Sequence, residues 1–486
     1  MRASKQISGP DLDTRERLRA VVTLSAVAVA GLAAAWLYLW GGDLHRFIQG
    51  ISGYIAMFIA HFAIYLAACF AVFRRPGRSR RESTIAVALV LLFAALFRAE
   101  LVGRQPYLST DTYRYIWDGR VQTAGINPYR YVPSADELAH LREDRVYPKI
   151  NRADFAQTPY PPVAQAIYYA IYRVYPLSIT AFKIAMSLFD LLAILAVMLV
   201  LAREGIDPAR AVIFAWHPLL IWEGAHSGHV ESAFILFIAL ALLARVYRRY
   251  ALTGVALGLA AMVKFYPALL LPVFMSSSAF NDRAEAPKSL AGWIRAAWST
   301  LTSRNNLWVV GAFVTTIVVS YLPYLGAGKQ VFGYLPNEFR EEGYVDQGER
   351  YFLLLIIKQF VNLPTWVFMA GGAVGLACGG VWWLVRRKTS AIDVARGAVA
   401  LIGLFWIVTT PRYSWYYAWI LPFLCLVPAT AWLYLTGATV LLYLLWFIPN
   451  VYPEMPVWLG ASLYGPTLLF LLRESIKTRQ AQREAQ

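Results

Sequence analysis

Residues 83–102 read STIAVALVLLFAALFRAELV, and on either side of this run the composition changes abruptly. A helix needs about 20 apolar residues to cross the hydrocarbon core of a bilayer, and this run supplies them. Back toward the N-terminus, runs of that order lie at about 19–40 and 51–73. Forward of it, further candidates lie at about 177–202, 209–222, 230–248, 251–263, 265–276, 306–325, 364–385, 392–410, 413–428, 430–448 and 457–473. Several are too short to cross unaided. The pair meeting at Lys264-Phe265-Tyr266-Pro267 reads as two half-length helices around a polar break, tolerated only where protein or a water-filled cavity shields the freed backbone. A composition of 58% hydrophobic and 15% charged residues over 486 positions, with mean hydropathy +0.48, lies outside the soluble range. The expected fold is therefore all-α, a polytopic integral membrane protein of about 12–14 transmembrane helices. Its expected parts are a cytoplasmic tail with three helices over 1–102, a large external loop over 103–162, a transmembrane core over 163–276, and C-terminal helices over 277–486 with a second external loop at 326–361.

The formal charge is +16, from 45 Lys and Arg against 29 Asp and Glu. The cations sit in short clusters between apolar runs, which fits a topological and lipid-surface role and argues against a nucleic-acid partner. The clusters are the N-terminal tail; Arg74, Arg75, Arg78, Arg80 and Arg81; Arg245, Arg248 and Arg249; Arg386, Arg387 and Lys388; and Arg473 to Arg483. With these spans all fall on one side, which the excess of Lys and Arg marks as cytoplasmic. The 103–162 loop, residues 223–229, residues 326–350 and Arg412 then face the outside. The long loop carries many Arg of its own, but long loops obey the charge rule poorly. Cys69, Cys378 and Cys425 all fall in apolar runs without metal-like spacing, so no disulfide framework is implied. The first twenty residues, basic and polar without a cleavage site, read as the flank of an uncleaved span. Residues 293–298 read as part of an amphipathic helix, and the acidic stretch from Glu338 to Glu349 leads into an interfacial helix at 351–361.

Residues 109–163, STDTYRYIWDGRVQTAGINPYRYVPSADELAHLREDRVYPKINRADFAQTPYPPV, gather ionisable groups beside a bilayer, where they need a reason to be. Asp111 and Asp118 are seven residues apart, two helical turns, which puts both carboxylates on one face. Asp111 reads as a general base for a sugar hydroxyl with Asp118 orienting partners; the alternative is an interfacial helix whose acids cap it or pair with Arg114 and Arg120. Tyr113 lies on the same helix. Gly125-Ile126-Asn127-Pro128-Tyr129 combines a helix stop with an aromatic turn. Thr158-Pro159-Tyr160-Pro161-Pro162 leads into a helix carrying Gln165, either lining a sugar site or guiding the chain into the membrane.

Beyond the loop, His217, Glu223, His226, His229 and Glu231 surround an external turn. The three-residue spacings of Glu223, His226 and His229 suit a divalent metal on one helical face, but Gly224 and Gly228 interrupt such a helix, and imidazoles serve equally as hydrogen-bond partners of hydroxyls and phosphates. Lys264 interrupts an apolar run, where an ammonium is costly unless an anion or a cavity compensates; a lipid-carrier phosphate would do so, and so would reaching to the interface along its stem. Arg412, in Pro411-Arg412-Tyr413-Ser414-Trp415, holds a donor phosphate or belongs to an aromatic belt.

These motifs, in this order, resemble the membrane glycosyltransferases of the GT-C superfamily, particularly the family of the first GPI-anchor mannosyltransferase and the bacterial polyprenyl-phosphate-mannose-dependent mannosyltransferases. The resemblance runs through Thr110-Asp111, Tyr113, Asp118, Gly125-x-Asn127-Pro128-Tyr129, Tyr160-Pro161-Pro162, His217-Pro218-Leu219, Gly228-His229-x-Glu231 and Lys264-x-Tyr266-Pro267, roughly residues 105–275. It implies a hexosyltransferase of the bacterial inner or plasma membrane that moves mannose from a polyprenyl-phosphate donor to an extracytoplasmic lipid or glycan acceptor, with inversion. Asp111 would be the base, and Lys264 would sit near the donor phosphate with Tyr266 beside it. Two departures stand out. Eukaryotic relatives carry Asp-x-Asp where this chain has Thr110-Asp111-Thr112, which leaves no clear ligand pair for a metal cofactor, and two spans precede the usual first helix of the module. The absence of a Walker loop or dinucleotide fingerprint favours a lipid-linked donor. A lipid-sugar flippase and an oligosaccharide ligase are the rival readings. The sequence identifies no subunit partner.

Overall fold

The structure, a computed structural model, describes residues 9–41, 50–75, 77–277, 280, 285–344, 350–447 and 455–484. Among these residues every extended regular element is helical, and the sole β feature is an isolated bridge between Phe280 and Arg386. The all-α polytopic expectation holds. Three long helices precede the large loop: α1 (Gly9–Gly41), α2 (Gly50–Phe73) and α3 (Arg80–Val102). The loop contains α4 (Asp111–Thr123), and α5 (Pro162–Val174) leads into α6 (Ile179–Arg203). Two shorter apolar helices follow, α7 (Glu231–Val246) and α8 (Tyr250–Ala261). The C-terminal half contributes α9 (Leu290–Leu301), α10 (Arg304–Tyr321), α11 (Leu335–Glu341), α12 (Phe352–Lys358), α13 (Thr365–Val385), α14 (Ala391–Thr409), α15 (Thr430–Ala438) and α16 (Val457–Glu484).

Eight helical stretches among the described residues are long and apolar enough to cross a membrane, those built on α1, α2, α3, α6, α10, α13, α14 and α15. The larger count expected from sequence included 209–222, 265–276 and 413–428, which the structure divides into pieces of three to seven residues. Pro208, Pro218, Pro267, Pro272 and Pro422 interrupt the hydrogen-bond ladder there. Such broken backbone survives at membrane depth only when protein surrounds it, and 211–235 is buried throughout. The expected interfacial helix is α12 and the amphipathic one is α9. Residues 1–8 of the basic tail and 345–349 of the acidic stretch lie outside the described residues.

Side-chain ties fix which loops share an end. Lys183 near the start of α6 donates to the carbonyl of Leu101 at 2.8 Å, using carbonyls that α3 leaves unpaired where it stops. At the other end Arg78 pairs with Asp207, Arg203 lies over the Tyr247 ring at 5.7 Å, Arg245 donates to the Phe274 carbonyl, and Ser277 donates to that of Val385. The Arg-rich loops around 74–81, 245–249 and 386–388 therefore gather opposite the 103–162 loop. Between the ends, Arg98 of α3 and Asp190 of α6 form a buried ion pair at 3.2 Å, and the guanidinium also donates to the carbonyls of Ala94 and Ala215. Gly254 and Gly258 let α8 approach α10 closely: a Cβ at Gly258 would stand 2.8 Å from that of Thr316.

Candidate active site

The helix carrying Asp111 is anchored by its own sequence. Thr112 donates to the Ser227 carbonyl at 2.6 Å, Tyr115 stacks on Tyr168 of α5 at 4.5 Å, and Gly119 leaves room for the α5 backbone, since a Cβ there would lie 2.6 Å from the Tyr168 carbonyl oxygen. Asp111 occupies the first turn, where the helix dipole favours a carboxylate. Asp118, two turns on, has a different environment. It accepts from Arg114 Nε and from Gln165 Nε2, both at 2.9 Å, and is buried between α4 and α5. Its work in the structure is to join two helices.

Asp111 faces a cavity of about 920 Å³ that is also lined by Tyr160, Lys264, Tyr266, Glu338 and Trp415. Its Oδ1 accepts from Asn151 at 3.1 Å and its Oδ2 from the Tyr160 hydroxyl at 3.4 Å, with 20% of the side chain still accessible. His229 Nε2 lies 3.9 Å from the same Oδ2 and 2.9 Å from Ser109 Oγ; its Nδ1 is 3.0 Å from Glu223. Glu223 in turn accepts from Ser414 and Tyr443, and the imidazole stacks on Trp415 at 4.0 Å. Burial alone would lower the basicity of this imidazole, but contact with Glu223 and the nearby charges of Asp111 and Glu231 outweigh it and raise its pKa above the ordinary 6.5. Lys264 Nζ pairs with Glu231 at 2.6 Å and lies 4.5 Å from the centre of the Tyr416 ring. The compensation that an ammonium needs at this depth is thus already supplied by Glu231.

The 326–344 segment closes the opposite side. Gly333, at φ +54, packs so tightly on the Thr158 carbonyl that no side chain fits, Tyr334 N–H donates to that carbonyl, and Arg152 pairs with Glu341 at 2.9 Å. Arg350 and Arg412 both engage the Glu342 carbonyl from behind, and Arg350 also reaches its carboxylate at 3.3 Å. Glu338, Glu341 and Glu342 were visible in sequence as an acidic run. Their place on the same cavity as Asp111 was not, because the segments are far apart in the chain.

Several of the residues singled out in sequence do not line this cavity. Tyr113 packs against Lys149, whose Nζ is 5.0 Å from the ring centre. Asn127 accepts from the Tyr129 amide and donates to the Tyr324 carbonyl, while the Tyr129 hydroxyl donates to the Tyr160 carbonyl at 2.7 Å; these bonds fold the loop and tie it to its neighbour. Gln165 binds Asp118 and Thr158. His217 accepts from the Leu219 amide and meets Thr436 at 3.1 Å, and His226 lies edge-on to Trp222. Arg114 does reach the cavity, while held by Asp118; Arg412 stands one layer back. Among the described residues no group of three or more His, Cys, Asp or Glu side chains converges as a metal site. Glu223, His226 and His229 in particular diverge, because His226 turns toward Trp222 while His229 contacts Glu223.

Residues 17–279, just over half of the chain, match the family described as alpha-(1->6)-mannopyranosyltransferase, N-terminal domain. No curated protein and no solved structure matches the chain.

Proposed function

The chain belongs to the alpha-(1->6)-mannopyranosyltransferase family, and from that premise we propose that it transfers mannose from a polyprenyl-phosphate carrier to an extracytoplasmic glycan or lipid acceptor, with inversion and with Asp111 as general base. It is a multi-pass membrane protein and a mannosyltransferase. One observation carries the finer reading: Asp111 and Lys264, remote in sequence, share a cavity that is ionic on one side and apolar on the other. The apolar side is formed by Met369, Ala373 and Leu376 of α13 with Phe405 and Val408 of α14, both of membrane-crossing length. A lipid-phosphate sugar has that same division, with a hydrocarbon chain, an anion and a hydroxylated ring.

In the reaction the acceptor hydroxyl gives its proton to Asp111 as its oxygen bonds to the anomeric carbon. The bond from that carbon to the phosphate oxygen breaks, and the electron pair leaves with the polyprenyl phosphate. Lys264 and Arg152, both lining the cavity, face the charge that develops on the leaving group. Holding base, hydroxyl and donor together supplies much of the remaining acceleration. The Arg-rich loops gather at the opposite end, which supports an extracytoplasmic cavity under the charge rule.

Incubation with synthetic polyprenyl-phosphate mannose and an octyl α-mannoside, followed by mass analysis, should give an extended mannoside; lipid-sugar movement without product would instead favour a flippase. Asp111→Asn should stay folded and lose at least about 100-fold in turnover. Wild-type turnover in that variant would remove the base assignment.

A further inference from the structure

We propose that Glu223 and His229 form a buried positioning pair for Asp111: the glutamate lies in ion-pair contact with the imidazole at Nδ1, and the imidazole holds the aspartate in place through Ser109. This rests on Asp111 being the base, and it assigns His229 a role distinct from touching substrate.

The local backbone is built to deliver the ring. Residues Ile221–His226 form a single π-helical turn, a departure from α geometry that costs hydrogen-bond quality and recurs at functional sites. Gly228 follows at φ +77, where a Cβ would stand 2.8 Å from Thr112 Oγ1 and 3.1 Å from Lys183 Cγ. Only glycine lets the chain turn there against α4. The turn is stapled to α4 by the bond from Thr112 to the Ser227 carbonyl, and the next residue is His229.

Contacts around the ring make a directed chain. Glu223 is 2% exposed, and its Oε1 accepts from Ser414 at 2.8 Å and Tyr443 at 2.6 Å. The 3.0 Å contact at Nδ1 leaves Nε2 directed at Ser109 Oγ, which itself accepts the Asp111 amide hydrogen at 3.2 Å. Ser109 thereby fixes the first residue of α4, and the imidazole fixes Ser109. Trp415, stacked on the ring, favours its cationic form as an aromatic face does for any cation.

The groups that face this imidazole come from four elements. Glu223 comes from the π turn, Ser109 and Asp111 from the start of α4, Glu231 from α7, and Trp415 from the stretch at 414–420. Lys264 stands behind Glu231 and offsets part of its charge. Three carboxylates against one partly offsetting ammonium favour the imidazolium. The imidazole Nε2 lies 3.9 Å from Asp111 Oδ2, so its charge and its hold on Ser109 both act beside the base. The sign for activity follows. Turnover is supported while His229 is protonated, and it falls as pH rises through the raised imidazole value.

The test is the pH profile of transfer by the full-length protein in detergent, with synthetic polyprenyl-phosphate mannose and an octyl α-mannoside. The wild type should show an alkaline limb above the ordinary imidazole range. Glu223→Gln, which keeps the shape, should move that limb down by about one pH unit or more, because the main charge favouring the imidazolium is gone. His229→Gln should lose the limb, with kcat lowered roughly 10- to 100-fold and the acceptor KM within about threefold, since orientation and proton transfer are affected and binding is not. Where His229→Gln does not fold, Glu223→Gln and the wild-type profile decide. A wild type without the limb, or a Glu223→Gln profile superimposable on it, overturns the pair while leaving Asp111 as base. An active Asp111→Asn overturns the premise instead.

Discussion

Lys264 holds Glu231 at 2.6 Å, with 12% of the lysine side chain and 3% of the glutamate side chain accessible, so replacing the lysine perturbs both stability and donor binding. At an effective dielectric near 20, unit charges about 4 Å apart attract by about 4 kcal/mol, which sets the gross scale of either contact. Lys264→Met strands a buried carboxylate and should cost about 3–5 kcal/mol of stability. Adding Glu231→Gln removes the stranded charge and should restore most of that loss, because a neutral pair of similar volume often serves as well as an ion pair. Donor use should not return. An ammonium-to-phosphate hydrogen bond contributes about 1.5–3 kcal/mol, equivalent to roughly 10- to 150-fold in kcat/KM for the donor. The assay combines thermal unfolding in detergent with transfer rates at varied polyprenyl-phosphate mannose. A double variant that is stable and retains wild-type donor kcat/KM would refute the phosphate role and leave Lys264 as the partner of Glu231 alone.

Three further outcomes are expected. Arg98→Met should destabilise the protein by about 3–5 kcal/mol in an unfolding titration, because Asp190 is then buried without its cation. Gly333→Ala meets both a positive φ and the Thr158 carbonyl, so it should cost more than about 1 kcal/mol and expose the 326–344 segment to limited proteolysis ahead of the wild type. Glu231→Gln alone frees the Lys264 ammonium from its partner and should strengthen inhibition by added polyprenyl phosphate, measured as a lower inhibition constant.

The long helices were legible because lipid imposes a length and composition on any crossing helix: 83–102, 51–73 and 364–385 lie within a few residues of α3, α2 and α13. The region 208–276 was harder to read. Its composition is as apolar as a span, but Pro218 and Pro267 break the ladder, and what makes the breaks tolerable is burial against distant helices, which a local window does not contain. The placement of Asp111 at a helix start was readable from the end of α3 and the polar switch after it. Asp118 illustrates the limit. Spacing put it on the face of Asp111, but whether that face meets water or α5 depends on Tyr168 and Gln165, some fifty residues on. The Glu223–His229 contact could be anticipated as a cluster, yet its orientation depends on the π turn and on Gly228, neither of which has a periodic signature.

In the proposed reaction, the ionic side of the cavity would keep charge beside a bilayer without trapping the product. A polyprenyl-phosphate sugar carries one negative charge, and the released polyprenyl phosphate carries closer to two at neutral pH, as phosphate monoesters do. Unpaired cations would therefore hold the product more tightly than the donor and slow turnover. Here Lys264 is paired with Glu231, Arg152 with Glu341 and Arg114 with Asp118. In the proposed reaction each pair would offer its positive end to a phosphate and keep an acid beside the cation for when the phosphate leaves. The same pairs tie the 103–162 and 326–344 segments and the helices α4, α7 and α11 to the cavity, so charge balance and architecture are one arrangement. Asp111 stands apart in having neutral donors, Asn151 and Tyr160, at hydrogen-bond distance and a titratable imidazole slightly farther off. Of the carboxylates lining this cavity, Glu341 and Glu342 are tied to arginines, whereas Asp111 and Glu338 form no ion pair to lysine or arginine among the described residues. Of these two it is Asp111 that sits at the start of α4 against Asn151, Tyr160 and His229.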